Sequence, residues 1–328
     1  EDADQLALHS VDRRQRQRCI RDRFWLSQGP DSAKAVASSG TAGLFMWFAS
    51  GLMLIGKLGS EIGVSQEFGH KNTENAKKYA QNSIITVTAI GIVFSLILIW
   101  FGQNLIGFFG IEEPDVVTYT EDYLFIVSLA IPFTYITAAV SGTFNASGNS
   151  KTPFYLSGAG LIVNMTLDPL FIIHFGMGVK GAAYATIISQ TVVFIIHIIA
   201  VKKSKNRPFE KFEFFVRPDF SKIKTILKWT IPISLENIVF CLFSMITSRF
   251  EVSFGWQAIA VSRMGSQIES LSWLVGGGFS AALCAFVGQN YGAGKNDRIK
   301  KGVNISIKMM SVWGIGVALI LAIFGRSI

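Results

Sequence analysis

The stretch NSIITVTAIGIVFSLILIWFG, Asn82 to Gly102, holds no charged residue in 21 positions. At about 1.5 Å of rise per residue a helix of this length covers about 30 Å, the thickness of a bilayer's hydrocarbon core. Seven further stretches read the same way, at about 40–65, 121–143, 153–174, 181–201, 229–250, 256–288 and 303–325. Pro132, Pro169 and Pro232 fall inside such stretches. A proline inside a water-soluble helix costs about 3 kcal/mol. Membrane helices tolerate it where a neighbour satisfies the freed carbonyl. A soluble bundle would need eight helices with almost no polar face. The fold class expected is therefore all-α, a polytopic membrane protein with about eight transmembrane helices.

Composition agrees. Half of the 328 residues are hydrophobic, 16% are charged, and the mean hydropathy is +0.41. A soluble chain carries about 25% charge, which argues against a cytosolic enzyme, and no enzyme is expected. Twenty-seven Phe against seven Tyr suit lipid better than water. Residues 1–23 stand apart, with six Arg and five acidic side chains and no apolar run. They form a charged, atypical N-terminal segment. Cys19, Cys241 and Cys284 have neither disulfide nor metal spacing, and the four His are scattered. No cofactor is expected. Gly276-Gly277-Gly278 lies inside a span without a following Lys-Ser/Thr, so it is not a phosphate loop.

The net charge of +8 reads as topology, not as nucleic-acid binding. Lys71, Lys77 and Lys78 follow the first span and Lys151 the third. Nine basic residues from Lys202 to Lys228 follow the fifth, and Lys295, Arg298, Lys300 and Lys301 follow the seventh. The opposite loops hold Lys180 and Arg249, with Glu112, Glu113 and Asp115 nearby. The positive-inside bias puts the basic set in the cytoplasm. The first span then runs from outside to inside, so the chain reads as a fragment lacking a span before it and more after it. The expected place is the plasma membrane, as a multi-pass protein of the bacterial inner membrane.

The chain also repeats itself. A shift of 223 residues aligns 35–105 with 258–328 without a gap, with 17 identities in 71 positions. Val64, Gln66 and Gly69 match Val287, Gln289 and Gly292, and Lys77-Lys78 match Lys300-Lys301. Hydropathy explains neither the glycines nor the lysine pair. Six spans separate the copies, an even number, so both have the same orientation. Parallel repeats about an axis along the membrane normal are a transporter architecture. Such halves can rock about a central cavity and give alternating access.

At these residues the chain resembles the multidrug and toxic compound extrusion (MATE) family. Val287-Gly288-Gln289-Asn290-Tyr291-Gly292-Ala293-Gly294 is similar to the segment closing that family's helix eight, and Val64-Ser65-Gln66-Glu67-Phe68-Gly69 to its counterpart closing helix two. The run from Gly142 to Pro153, GTFNASGNSKTP, resembles the turn between helices four and five. Asn164 to Pro169 resembles helix five, and Gly178 to Thr186 the start of helix six. The resemblance covers about residues 25–328. It implies helices two to nine of a twelve-helix fold with two pseudo-symmetric lobes. The expected division is an N-lobe over 24–203, a cytoplasmic linker over 204–228 and a partial C-lobe over 229–328. It also implies export of cationic, amphipathic drugs and other xenobiotics in exchange for Na⁺ or H⁺. The partners implied are the lipid bilayer and small cationic organic substrates, with no nucleic acid, and the chain is expected to act as a monomer.

Asp168 leads the candidate residues. A carboxylate within a span costs about 2.5–3.5 kcal/mol on insertion scales and is a functional hypothesis by default. Asn164 lies one turn earlier on the same helix face. Asp168 precedes the outer end of its span by about 9 Å, and Thr186 follows the outer start of the next by about 8 Å. The hairpin can therefore bring Asn164, Asp168 and Thr186 to one depth. A carboxylate, an amide and a hydroxyl are ligands a hard cation prefers. Shielding from water disfavours the charged carboxylate, so a proton can compete for it. The family's N-lobe cation site uses these three positions, with an Asp on helix one that this chain lacks. No metal is expected beyond Na⁺ at Asp168. The structural alternatives are that Asp168 caps the backbone disturbed by Pro169 and that Thr186 bonds back to its own helix.

Glu236 lies one turn after Pro232 and is a candidate contact for a cationic substrate or a second ion; its alternative is local pairing with a lysine or the freed backbone. Arg263 and Glu269, six residues apart in span 256–288, do not face each other on one helix. They can line the cleft or pair with neighbouring helices. Lys57 and Glu61, at i and i+4, read as a local pair. Two other functions fit parts of this record. One is a lipid-linked oligosaccharide flippase of the wider superfamily. The other is a non-transporting membrane receptor or scaffold, which leaves the repeat unexplained.

Overall fold

A computed structural model describes residues 32–107, 113–203, 207–252 and 256–324. Among them the chain is helical apart from turns and the segment between residues 207 and 219. The helices are α1 (Ser32–Gly69), α2 (Thr73–Gly107), α3 (Pro114–Ser128), α4 (Ile131–Ala146), α5 (Lys151–Pro169), α6 (Gly178–Lys203), α7 (Phe220–Val252), α8 (Trp256–Gly292) and α9 (Asn296–Phe324). Residues 1–23 lie outside the described residues. Among the described residues six helices are long and apolar enough to cross a membrane, α1, α2, α5, α6, α7 and α9, or seven if the bent pair α3 and α4 is one span; α8, on the span expected over 256–288, is not among them, so the count falls short of the eight expected.

That bend departs from the single span expected over 121–143. The chain turns by 48° between α3 and α4, with Pro132 in the first turn of α4. Proline has no N–H to give to the carbonyl four residues back, here that of Ser128. The Ser95 hydroxyl on α2 donates to that carbonyl at 2.7 Å. A neighbouring helix thus satisfies the group that the proline frees, as an apolar environment demands. Other hydroxyls of α2 and α4 bond back along their own helices: Thr86 to the Asn82 carbonyl, Thr137 to that of Phe133, Thr143 to that of Ala139.

α1 is the hub. α2, α3, α4, α7 and α8 all pack on it. Its small buried residues, Ala35, Ala42, Ala49 and Ser60, allow that crowding, because small side chains let membrane helices approach closely. α2 turns Ile92, Val93, Leu96, Ile97, Trp100 and Phe101 outward, a lipid-facing surface in a protein of this kind. α5 and α6 form a hairpin, which joins the rest through the packing of α6 on α3 and α4.

The segment between α6 and α7 lies across the C-terminal end of α1 and the N-terminal part of α2. Phe209 stacks on Phe68, and Phe212 stacks on Phe209. Gln81 donates to the Glu213 carbonyl and Asn82 accepts from the Asp219 N–H. α7 starts at Phe220, earlier than the span expected from 229, and carries Lys222, Lys224 and Lys228 on the added turns. On the outer side, Lys34 at the start of α1 pairs with Asp115 and Glu113 at the start of α3. The Asp115 carboxylate first, then that of Glu113, pushes the Lys34 ammonium above the usual lysine range.

Candidate functional site

The hairpin of α5 and α6 is held by close backbone approach at two levels. A Cβ at Gly160 would overlap the Val193 side chain. Near the outer end, a Cβ at Gly181 would lie 2.8 Å from the carbonyl of Phe171. Real Cβ atoms do not come so close, so a side chain at either position would push the helices apart. The two contacts set an antiparallel register that puts Thr186 level with residues 166–168. This register is consistent with the common depth expected from span lengths.

Between those levels sit the three predicted residues. Asn164 and Asp168 are fully buried, and the Asn164 amide donates to Asp168 Oδ1 at 3.0 Å. That bond holds the carboxylate rotamer. Thr186 is also buried, and its Oγ1 makes no hydrogen bond among the described residues. It does not bond back to its own helix, which removes the structural alternative for that hydroxyl. An orphaned buried hydroxyl costs about 1–3 kcal/mol. By type, this hydroxyl and the carboxylate at the same level of the hairpin are oxygen donors of the kind a hard monovalent cation or a proton takes. Beyond Pro169 the helix loosens into a π-helical turn, Leu170–His174. Such turns often mark functional positions in membrane and soluble helices alike.

The structure does not bring Glu236 to this group. It is exposed on α7, which packs on α1, α2 and α8. Arg263 and Glu269 belong to α8, and their side chains lie outside the described residues. Glu61 is buried, and its closest polar partner is Asn145 on α4, whose amide donates at 3.0 Å. Lys57 stands further off, at 4.0 Å. The local pairing expected for Glu61 is thus secondary to an interhelical bond. His197 was not singled out from the sequence. It is buried on α6 with Nδ1 donating to the Val193 carbonyl and Nε2 facing the Ser141 hydroxyl of α4 at 3.2 Å. The carbonyl can only accept, so Nδ1 carries hydrogen. A lone histidine in an apolar run gave no signal of this link.

A family model described as MatE matches residues 20–170 and again 232–328. The chain belongs to the MatE family. The two matched stretches fall on the two copies of the internal repeat. This MatE chain is 27% identical over 310 residues to the probable multidrug resistance protein YoeA of Bacillus subtilis, covering 93% of the chain and 66% of that protein. It is 27% identical over 276 residues to the probable multidrug resistance protein NorM of Thermotoga maritima, covering 83% and 59%. It is also 23% identical to an FAD transporter of Shewanella oneidensis, over 94% of the chain and 68% of that protein. The chain thus spans about two thirds or less of YoeA and NorM. A multidrug resistance MATE family transporter solved in an outward-facing conformation superposes with a TM-score of 0.86 at 19% identity, covering 97% of this chain and 70% of that one. The fold is that of a MATE transporter, and the MatE chain is a multi-pass membrane protein.

Proposed function

We propose that the protein to which this chain belongs is a secondary active antiporter of the bacterial inner membrane. It exports cationic, amphipathic drugs or toxic compounds in exchange for Na⁺ or H⁺ by alternating access. The observation that supports this reading is the buried Asp168 carboxylate, oriented by Asn164, at the level in the hairpin of a Thr186 hydroxyl that makes no hydrogen bond among the described residues. Burying a carboxylate charge in a span is costly. A cation or proton arriving from outside neutralises it, and the lobe arrangement of lowest energy changes with occupancy. A ligand shifts such an equilibrium only through its differential affinity for the two states. Glu236, open on α7, is proposed to meet the cationic substrate, with Arg263 and Glu269 on α8 as further cleft-lining candidates. The N-lobe, linker and C-lobe divide at 24–203, 204–228 and 229–328, and the working unit is a monomer.

Ethidium efflux from pump-deficient cells expressing the full-length protein tests the reading. Efflux is expected to follow a Na⁺ gradient at fixed pH or to collapse with a protonophore, which names the ion. Asp168→Asn is expected to abolish gradient-coupled efflux while the protein still inserts. Undiminished coupled efflux in that variant would remove Asp168 from the mechanism.

A further inference from the structure

The ends of α1 and α8 are repeat mates, and the structure lays them directly on each other. A Cβ at Gly69 would lie 2.9 Å from the Gly292 Cα, and one at Gly292 would lie 3.0 Å from the Gly69 Cα. The Cβ at Gly69 would also strike the Gln289 carbonyl oxygen, and that at Gly292 the Gln66 carbonyl oxygen. Gln66 and Gln289 are themselves mates under the 223-residue shift. One turn further in, a Cβ at Gly288 would lie 2.8 Å from the Ser65 Cβ, and Ser65 and Gly288 are mates as well. Contacts that are reciprocal, with residues meeting their own counterparts, are the signature of a two-fold axis. Here the axis is internal and passes between the cytoplasmic ends of the two repeats.

We infer that this crossing is a clasp that closes the cytoplasmic mouth between the lobes and must part each time the protein opens inward. The inference rests on the alternating-access reading above and adds the element that does the closing. Backbone meets backbone at Gly69 and Gly292, so no side chain lies between them to flex. The crossing is therefore either shut or separated, the bistable behaviour expected of packed interfaces. One side bond holds it shut: Gln289 Nε2 donates to the Ala146 carbonyl at the end of α4, at 2.8 Å. Ala146 adjoins Asn145, which holds Glu61, so the clasp and the buried carboxylate share the end of α4. The positive-inside loops place all of this at the cytoplasmic face.

Cys284 supplies a native reporter. It is a free thiol, partly exposed, eight residues before Gly292 on α8. That sets it about 12 Å deeper in the membrane than the clasp. It is also the repeat mate of Glu61 and lies within the field of the Glu61 and Lys57 charges, so it faces α1. The test uses the full-length protein with every other cysteine replaced by serine, in inside-out vesicles treated with a membrane-impermeant maleimide. Gly69→Ala and Gly292→Ala are each expected to raise the Cys284 labelling rate about fivefold or more, since an intruding methyl at a packed contact disfavours the shut state. Gly277→Ala, on the same helix with nothing near its Cβ, is expected to leave the rate unchanged. Unchanged labelling in both glycine variants would overturn the clasp. Labelling needs no transport, so a wild-type protein that exports nothing would sink the proposed function and leave the clasp standing or falling by itself.

Discussion

Thr186→Val separates a coordinating role from a structural one because the two predict opposite signs. The Thr186 hydroxyl is buried and makes no hydrogen bond among the described residues. Valine keeps the branched shape and loses only that hydroxyl. If the hydroxyl has no ligand, its burial is a cost of about 1–3 kcal/mol that the variant removes. The purified variant in detergent is therefore expected to melt at the wild-type temperature or above it in the absence of Na⁺. With the cation present the order reverses. Losing one oxygen ligand of about 1.4 kcal/mol weakens binding tenfold. Stabilisation by a ligand follows RT ln(1 + [L]/Kd), so at a concentration near 100 Kd of the wild type about 2.7 kcal/mol of stabilisation falls by about half. The assay is a thermal-melt series across Na⁺ at fixed ionic strength, repeated across pH without Na⁺ for a proton-coupled protein. A variant that melts lower without the ion, and responds to Na⁺ and pH as the wild type does, would refute the argument. It would show that Thr186 holds the hairpin and not the ion.

Four further outcomes follow from particular contacts. Gly160→Ala drives a methyl into Val193 and is expected to cost about 1–3 kcal/mol in melting experiments, with Val193→Ala recovering most of it. Ser95→Ala strips the donor from the Ser128 carbonyl at the bend and is expected to cost about 0.6–1.7 kcal/mol, the range for hydrogen bonds between membrane helices. Glu236→Gln is expected to raise the ethidium concentration needed for half-maximal efflux without changing the dependence on Na⁺; an unchanged value would remove Glu236 from the substrate path. The Lys34 pair with Asp115 and Glu113 raises the lysine's titration. Its contribution is therefore complete below the ordinary lysine range and is lost only as pH rises through the higher folded value. Melting temperatures of wild type and Lys34→Gln should show no difference in pH dependence near neutrality.

The all-α membrane fold and the parallel repeat were readable in the amino-acid sequence. They rest on properties summed along the chain: apolar run length and identities at a constant offset. The span lengths also implied a common level for Asn164, Asp168 and Thr186. A short hairpin between two long helices leaves only one register, and Gly160 and Gly181 lock it. Other features needed the tertiary structure. Pro132 announced a disturbance, but only the Ser95 hydroxyl, 33 residues from Ser128, shows how the chain sustains a bend there. Glu61 looked like the partner of Lys57 at i−4, whereas its nearer partner, Asn145, lies 84 residues away. The crossing of Gly69 on Gly292 joins segments 223 residues apart. Local periodicity carries no record of such pairings. They are decided when helices of similar hydropathy choose neighbours, and that choice turns on which small residues permit contact and which buried polar groups find a partner.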